Sequence, residues 1–281
     1  MTRARRLANR VAPACVVLCL LAGLAGCAGG SPLLHPAQTL DIGVVRAAAG
    51  VSANVAVGSI ADDVRVARDL AAKNVDVPGT PGSNPQYARG ALVTAAVAPG
   101  LAPFVAARVG VGGRAEGGVA YTGRGVRIDM RRSFESGNFA LSVGAGVTGA
   151  FYGRQQGSPL PNVELTALHG FGADAPVLVG WRSSGGFYEV WAGGRAGFES
   201  DTIESATSEP KAVSIGTPPI HLAATRYYGG GLVGVGTGFR HIHVALEIAA
   251  YYQSATGDYN DTHVSISGVS LSPATALWWE F

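Results

Sequence analysis

Residues Asn138–Phe151 read NFALSVGAGVTGAF. Phe139, Leu141, Val143, Ala145, Val147 and Phe151 take the odd positions, while Asn138, Ser142, Gly144, Gly146 and Thr148 take the even ones. Successive side chains of an extended chain point to opposite faces, so the segment predicts a strand with one apolar face and one small or polar face. The same period recurs in Val126, Ile128 and Met130 against Arg127, Asp129 and Arg131, and in Tyr188, Val190 and Phe198 against Glu189 and Arg195. It recurs again in Ile242, Val244, Leu246, Ile248 and Tyr252 against His241, His243, Glu247 and Tyr251. Alternation alone fits a soluble sandwich with its apolar faces inward. It fits equally a barrel in lipid, where the assignment is inverted.

Composition and the chain ends separate the two. Of 281 residues only 14% are charged, 47% are hydrophobic and 41 are glycine, a balance unlike that of a disordered polymer or an ordinary soluble enzyme. That length suits one all-β domain. After residue 26 there is no apolar run long enough for a helical span, so a membrane crossing would have to use strands. The charged faces are sparse and broken by Gly and Ala, which suits a narrow interior. Counted back from the end, the connections near 255–263, 237–240, 199–218, 184–186, 153–173 and 135–137 alternate long and short, as outer loops and periplasmic turns do. The chain finishes Leu277, Trp278, Trp279, Glu280, Phe281. This resembles the C-terminal strand signal of bacterial outer-membrane β-barrel proteins, which implies that barrel assembly machinery reads Leu277, Trp279 and Phe281. The resemblance covers the last strand alone and has Ala276 where a glycine is common. Pro273 is expected at the strand start or on a bulge.

At the other end Arg3, Arg5, Arg6 and Arg10 precede an uncharged apolar run from Val11 to Gly26, the pattern of a signal peptide. Leu24, Ala25, Gly26 and Cys27 then resemble the bacterial lipobox, which implies cleavage before Cys27, a lipid on its thiol and contact with the lipoprotein processing machinery. Ala28 stands where an aspartate would favour inner-membrane retention, so the resemblance implies delivery to the outer membrane and a tether on its periplasmic leaflet. Processing removes four of the 21 basic residues and leaves 17 against 19 acidic ones, so no nucleic-acid-binding surface is implied. Cys15 and Cys19 leave with the signal, and Cys27 alone cannot form an intrachain disulfide.

The expected fold is all-β: an antiparallel up-and-down transmembrane β-barrel of 10 or 12 strands with a short helix near residues 60–73. Ten strands are drawn at 86–98, 101–111, 115–122, 125–134, 138–152, 174–184, 187–199, 219–236, 241–253 and 264–281. A hairpin about Gly50 in the extended region 40–57 would make twelve. The helix at Ile60–Lys73 has Ser59 as N-cap, Asp62 and Asp63 in its first turn, and Ile60, Val64, Ala67 and Ala71 on one face. It is expected to lie on the barrel or to plug it, and 78–85 to be a linker. The chain thus divides into a signal peptide (1–26), a lipidated tether (27–39) and a barrel domain (40–281).

In that arrangement Arg127, Asp129, Arg131, Glu189, Arg195, His243 and Glu247 face the lumen, which their mixed signs either fill with ion pairs or leave as a weakly selective path. The filled lumen is favoured for so small a barrel. Trp278, Trp279, Tyr251 and Tyr252 are placed near the membrane interfaces. No catalytic residue, metal site or cofactor is assigned. His241 and His243 share a face, but Glu247 lies roughly 13 Å from His243 at about 3.3 Å per residue, too far to join them on one ion. G-x-G-x-x-G occurs at Gly144, Gly146, Gly149 and at Gly229, Gly231, Gly234, with no helix after either, so neither reads as a dinucleotide site. His263 and Ser265 resemble the H-x-S pair of barrel lipid A deacylases, with Asp258 and Asp261 close in sequence. The acidic residues Glu199, Asp201, Glu204 and Glu209 read as a solvated loop. The partners expected are outer-membrane lipids and the two machineries named above; the oligomeric state is open. The functional expectation is a lipid-anchored barrel with a structural or transport role. The alternatives are a soluble sandwich or ligand-binding barrel hung in the periplasm, and a membrane-embedded lipid A acyl hydrolase.

Overall fold

A computed structural model describes residues 30–73, 84–151, 160, 168–205 and 220–281. The signal peptide, Cys27, most of the 78–85 linker and Glu209 lie outside the described residues. Ten antiparallel strands close into one barrel: β1 (Val45–Val57), β2 (Gly100–Gly112), β3 (Ala115–Tyr121), β4 (Gly125–Ser136), β5 (Phe139–Ala150), β6 (Leu168–Arg182), β7 (Tyr188–Ser205), β8 (Ile220–Phe239), β9 (Ile242–Tyr259) and β10 (Thr262–Glu280). Each strand pairs with its sequence neighbours, and β1 closes the circuit on β10, with Arg46 opposite Glu280 and Val57 opposite Val269. Closure leaves no strand edge unpaired.

The count of ten matches one of the two expected values, but one member differs. The segment expected as a strand at 86–98 is helical: α2 (Pro85–Leu92) runs into a π-helical turn at Val93–Val97. Asn84 Oδ1 accepts the Gln86 N–H at 2.9 Å, Pro85 opens the helix, and the alanines that follow favour it. The tenth strand is β1, which runs straight through Gly50 with no hairpin. Gly50 is there for close approach, because a Cβ would fall 1.9 Å from the Thr275 carbonyl oxygen. Helix α1 (Ser59–Ala72) lies where the 60–73 pattern puts it, with Ile60, Val64, Ala67 and Ala71 as its buried face, but Gly58 and not Ser59 is its N-cap, and the Ser59 hydroxyl donates instead to the Ser267 carbonyl of β10.

The connections sort the two rims. At one rim the turns are tight: 113–114, 137–138, 183–187 and 240–241, with Val45 and Phe281 beside them. Helices α1 and α2 and the strand ends Ala150, Leu168, Ser205 and Ile220 lie at the other. Loop ends shift where strands extend further than expected. Glu199 and Asp201 belong to β7 and are not in a solvated loop, and the 255–263 connection shrinks to Asn260 and Asp261. Pro273 sits inside β10, opposite Ile248 of β9, and on its other side the β1–β10 pairing skips Ala53 and Asn54. The missing proline N–H faces that gap in the ladder.

Outward faces are apolar. Phe139, Leu141 and Val143 on β5 and Ile242, Val244 and Leu246 on β9 are between 41% and 64% exposed, so they do not pack on one another in an interior. Two levels of outward aromatics bound this band: Phe139, Phe187, Tyr188, Phe239, Trp279 and Phe281 toward the tight-turn rim, and Phe151, Phe171, Phe198, Tyr227 and Tyr252 toward the long-loop rim. Along β9 the ten steps from Ile242 to Tyr252 cover about 33 Å, or about 25 Å of height at a strand tilt near 40°. Beyond Tyr252 the outward residues are Ser254, Thr256 and Asp258. Two expected interface residues instead turn inward: Trp278 and Tyr251 are buried, and their neighbours Trp279 and Tyr252 take the outer face. With a period of two, only one of each adjacent pair can face out.

Candidate functional site: the filled lumen

The inward faces carry the charge. Arg127, Asp129, Arg131, Glu189, Arg195 and Glu247 are all buried, and His243 sits at the margin of burial. Buried charge is tolerated where it is paired and its remaining donors and acceptors are satisfied. Here the pairing runs as a ribbon round half the wall. Arg131 bonds Glu116 at 2.8 Å, and Glu116 also takes Arg108. Arg108 continues to Asp129, Asp129 to Arg127, and Arg127 to Asp174 at 2.8 Å. Asp174 ends on Arg195 at 2.8 Å. Four guanidinium groups alternate with three carboxylates, and Glu247 of β9 stands outside this chain of ion pairs.

The space inside this ribbon is occupied by the chain's own N-terminal segment, residues 30–40. Glu247 accepts the backbone N–H groups of Leu33 and Leu34 at 2.8 and 2.9 Å, and the Trp191 indole N–H at 3.1 Å. Glu116 accepts the Leu40 N–H at 2.9 Å. Arg131 donates to the carbonyls of Pro36, Ala37 and Gln38, and Arg195 to that of Ser31. Thr39 and Ser133 hydroxyls meet at 2.8 Å. A segment without sheet or helix partners must satisfy its backbone some other way when buried. Carboxylates take its N–H groups and guanidinium groups its carbonyls, which also completes the coordination of the charges themselves.

Above and below this level the lumen is closed by different means. Toward the tight-turn rim Trp278 stacks on Trp191 at 5.9 Å, His243 meets the Trp278 ring edge-on at 6.4 Å, and the Arg46 guanidinium lies 4.6 Å over it while pairing with Glu280. Glu189 pairs with Arg182 at the rim. Toward the long-loop rim Arg226 pairs with Glu199, and Arg124 with Asp201. These groups border a cavity of about 50 Å³, room for ordered water. Over it α1, α2 and the π turn pack Ile60, Tyr87, Leu92 and Val97 against Ile203, Leu222, Tyr259 and Ile266 of the inner wall. Helix α1 therefore caps the barrel, and the plug is the stretch read from sequence as a tether.

Lumen-facing glycines make room for the large side chains. A Cβ on Gly146 would lie 2.5 Å from the Arg127 guanidinium, and one on Gly234 would lie 2.1 Å from the Trp191 ring. These positions belong to the two G-x-G-x-x-G matches, and both lie on strands. Among the described residues no cluster of His, Cys, Asp and Glu could hold a metal ion. His241 sits in the β8–β9 turn, apart from the buried His243. On the outer face above Tyr252, His263 Nδ1 lies 2.7 Å from Asp258 Oδ1, and Ser265 is exposed on the same face. Leu277, Trp279 and Phe281 all point outward and are more than half exposed.

Sequence reasoning missed Arg46, Arg108, Glu116 and Asp174, which stand singly among Ala and Gly. It also missed the plug. The signal for the plug was present, since Leu33, Leu34 and Leu40 with no charge between them make a poor solvated tether.

No family model matches the chain and no curated protein matches it. Among solved structures it is similar to Neisserial surface protein A, at 9% identity over 85% of this chain and 99% of the other, TM-score 0.34. It is also similar to a major outer membrane protein from Thermus thermophilus, at 12% identity over 56% of this chain and 92% of the other, TM-score 0.31. An outer membrane channel from Pseudomonas putida gives 9% identity over 87% and 98%, TM-score 0.30. Likeness of that order carries no functional inference, and the fold rests on the closed ladder of ten strands.

Proposed function

We propose that this chain is a bacterial outer-membrane barrel, anchored by lipid on Cys27, with a structural role and a lumen closed by its own N-terminal segment. The observation that carries this reading is the inversion of faces: an apolar outer band about 25 Å tall, the height expected of a membrane barrel, surrounds an interior of paired charge. In water such a molecule would expose its greasy stripes and bury its ions, which is the wrong way round for stability. Its partners are membrane lipids, the lipoprotein processing machinery acting at Cys27, and the barrel assembly machinery acting on Leu277, Trp279 and Phe281. No chemistry is required of it. A second reading, an acyl hydrolase, has the Asp258–His263 contact beside Ser265 in its favour.

The purified mature protein is expected to show heat-modifiable gel migration and β-rich dichroism in detergent, and no steady conductance in planar bilayers. Deletion of residues 30–40 is expected to give conductance steps. Steady conductance from the intact protein would make it an open pore. Solubility in buffer without detergent after Cys27→Ala would make it a soluble periplasmic lipoprotein.

A further inference from the structure

Among the described residues, the outward positions between the two aromatic levels carry a single charge. It is Arg132 of β4, exposed between the outward residues Met130 and Phe134. A charge on the lipid face of a barrel is costly at the midplane and nearly free close to an interface. Position and direction both bring this one toward the interface. On β3 its partner is Ala115, the first residue after the β2–β3 turn, and on β5 it is Val143. Its guanidinium carbon lies 5.6 Å from the centroid of the Phe134 ring, and Phe134 is two residues nearer the tight-turn rim. The side chain thus runs along the wall toward that rim, as long cationic side chains do when they carry their charge out of hydrocarbon.

No carboxylate answers this charge. Arg132 makes no ion pair among the described residues, and the acids closest in the ladder are engaged elsewhere. Glu116 is held inside the barrel by Arg108 and Arg131, and Glu135 accepts the Ser133 hydroxyl at 2.8 Å. A second cation stands beside Arg132 instead. The Arg114 carbonyl accepts the Ser133 N–H at 2.8 Å, which makes Arg114 a diagonal neighbour of Arg132. The Arg114 guanidinium donates to the Glu135 carbonyl at 3.0 Å and lies 3.9 Å from its carboxylate, with the side chain 56% exposed. Four strands further round, the β8–β9 turn repeats the pairing of cation and outward ring. There the Arg240 guanidinium lies 5.0 Å from the Phe239 centroid, and Phe239 stacks on Phe187 at 5.9 Å. Outward acids are placed oppositely: Glu204 and Asp258 lie beyond the long-loop aromatic level, and Asp41 is the one exposed acid among the described residues near the tight turns.

An unpaired guanidinium beside hydrocarbon takes the anion available at its height, which in a bilayer is the phosphate of a lipid headgroup. We propose that Arg132, flanked by Arg114, binds the phosphate of an anionic glycerophospholipid at the tight-turn rim, with the acyl chains lying along Met130 and Ile128. The headgroup is one of net negative charge, because the site presents two cations and, on the outward face, no carboxylate for the ammonium of a zwitterionic lipid. Short turns face the periplasm in such barrels, which puts this lipid in the periplasmic leaflet. The site rests on the membrane-barrel reading above.

The test is native mass spectrometry of the purified mature protein in detergent micelles doped with equimolar phosphatidylglycerol and phosphatidylethanolamine. Heat-modifiable migration of each sample checks the barrel separately from lipid retention. The parent is expected to retain phosphatidylglycerol about tenfold over phosphatidylethanolamine, and Arg132→Gln to lose about that factor, the size of one charge-assisted pair. Arg132→Lys keeps the charge but not the planar fork and should fall between the two. Arg65→Gln, on the exposed face of α1, makes the same change in net charge and should retain lipid as the parent does. Equal retention of the two lipids by a heat-modifiable parent overturns the proposal and leaves the membrane barrel standing, as does unchanged retention in Arg132→Gln. An equal loss in Arg65→Gln also overturns it, because net charge and not the site would then hold the lipid. A parent that shows no heat modification and dissolves without detergent removes both readings.

Discussion

Glu247→Ala is expected to free the upper half of the plug while leaving the barrel closed. The carboxylate accepts three buried donors, the N–H groups of Leu33 and Leu34 and the Trp191 indole N–H. A hydrogen bond to a charged group contributes about 1.5–3 kcal/mol. Burial of the carboxylate offsets part of that, so the low end is used: about 3 kcal/mol for the two bonds that hold the plug, the Trp191 bond being to the barrel wall. Barrel strands carry their own ladders through this level, with Ala274 and Gly234 pairing across Glu247, so the loss falls on the plug. At about 1.4 kcal/mol per tenfold, peptides covering residues 31–35 should exchange amide hydrogen roughly a hundredfold faster in the variant. Strands β8–β10 should exchange as in the parent. Hydrogen-exchange mass spectrometry in detergent micelles or nanodiscs reads both. Glu247→Gln keeps one acceptor oxygen and should fall between the two. Unchanged protection of Leu33 and Leu34 in Glu247→Ala would refute the idea that lumen carboxylates hold the plug by its backbone.

Three further outcomes follow from other parts of the molecule. Leu246→Arg puts a charge on the outward face in the middle of the apolar band and should cost about 2–4 kcal/mol in a denaturant titration in lipid vesicles, whereas Ser254→Arg, outward but beyond Tyr252, should be near neutral; equal effects would sink the membrane placement. Gly234→Val drives a Cβ to within 2.1 Å of the Trp191 ring, so it should lower stability by about 1–3 kcal/mol and shift the tryptophan emission as the indole loses Glu247. An unchanged spectrum would mean that the interior is looser than described. His263→Ala and Ser265→Ala should leave the lipid A of expressing cells unchanged by mass spectrometry; a wild-type-dependent loss of an acyl chain, absent in both variants, would establish the hydrolase reading instead.

The last forty residues illustrate how much of this was legible beforehand. Alternation along β9 and β10 marks which residues share a face, because side-chain period follows from strand geometry alone, and it separates Trp279 from Trp278 once the face is known. What alternation lacks is the ladder. Nothing in Gly50 says that it passes between Phe104 and Ala276 instead of turning, and nothing in the alanines of 88–98 excludes a strand until Asn84 and Pro85 are seen to start a helix.

Sequence by itself determined the class of fold, the inward and outward faces of most strands, and a lumen lined with charge of both signs, since each of these depends on residues close together in the chain. Tertiary structure alone decided which carboxylate meets which guanidinium, and that the uncharged stretch from Ser31 to Leu40 fills the space between them. Those pairings join residues up to 234 positions apart. Closure of the barrel brings them together, and no local pattern records it.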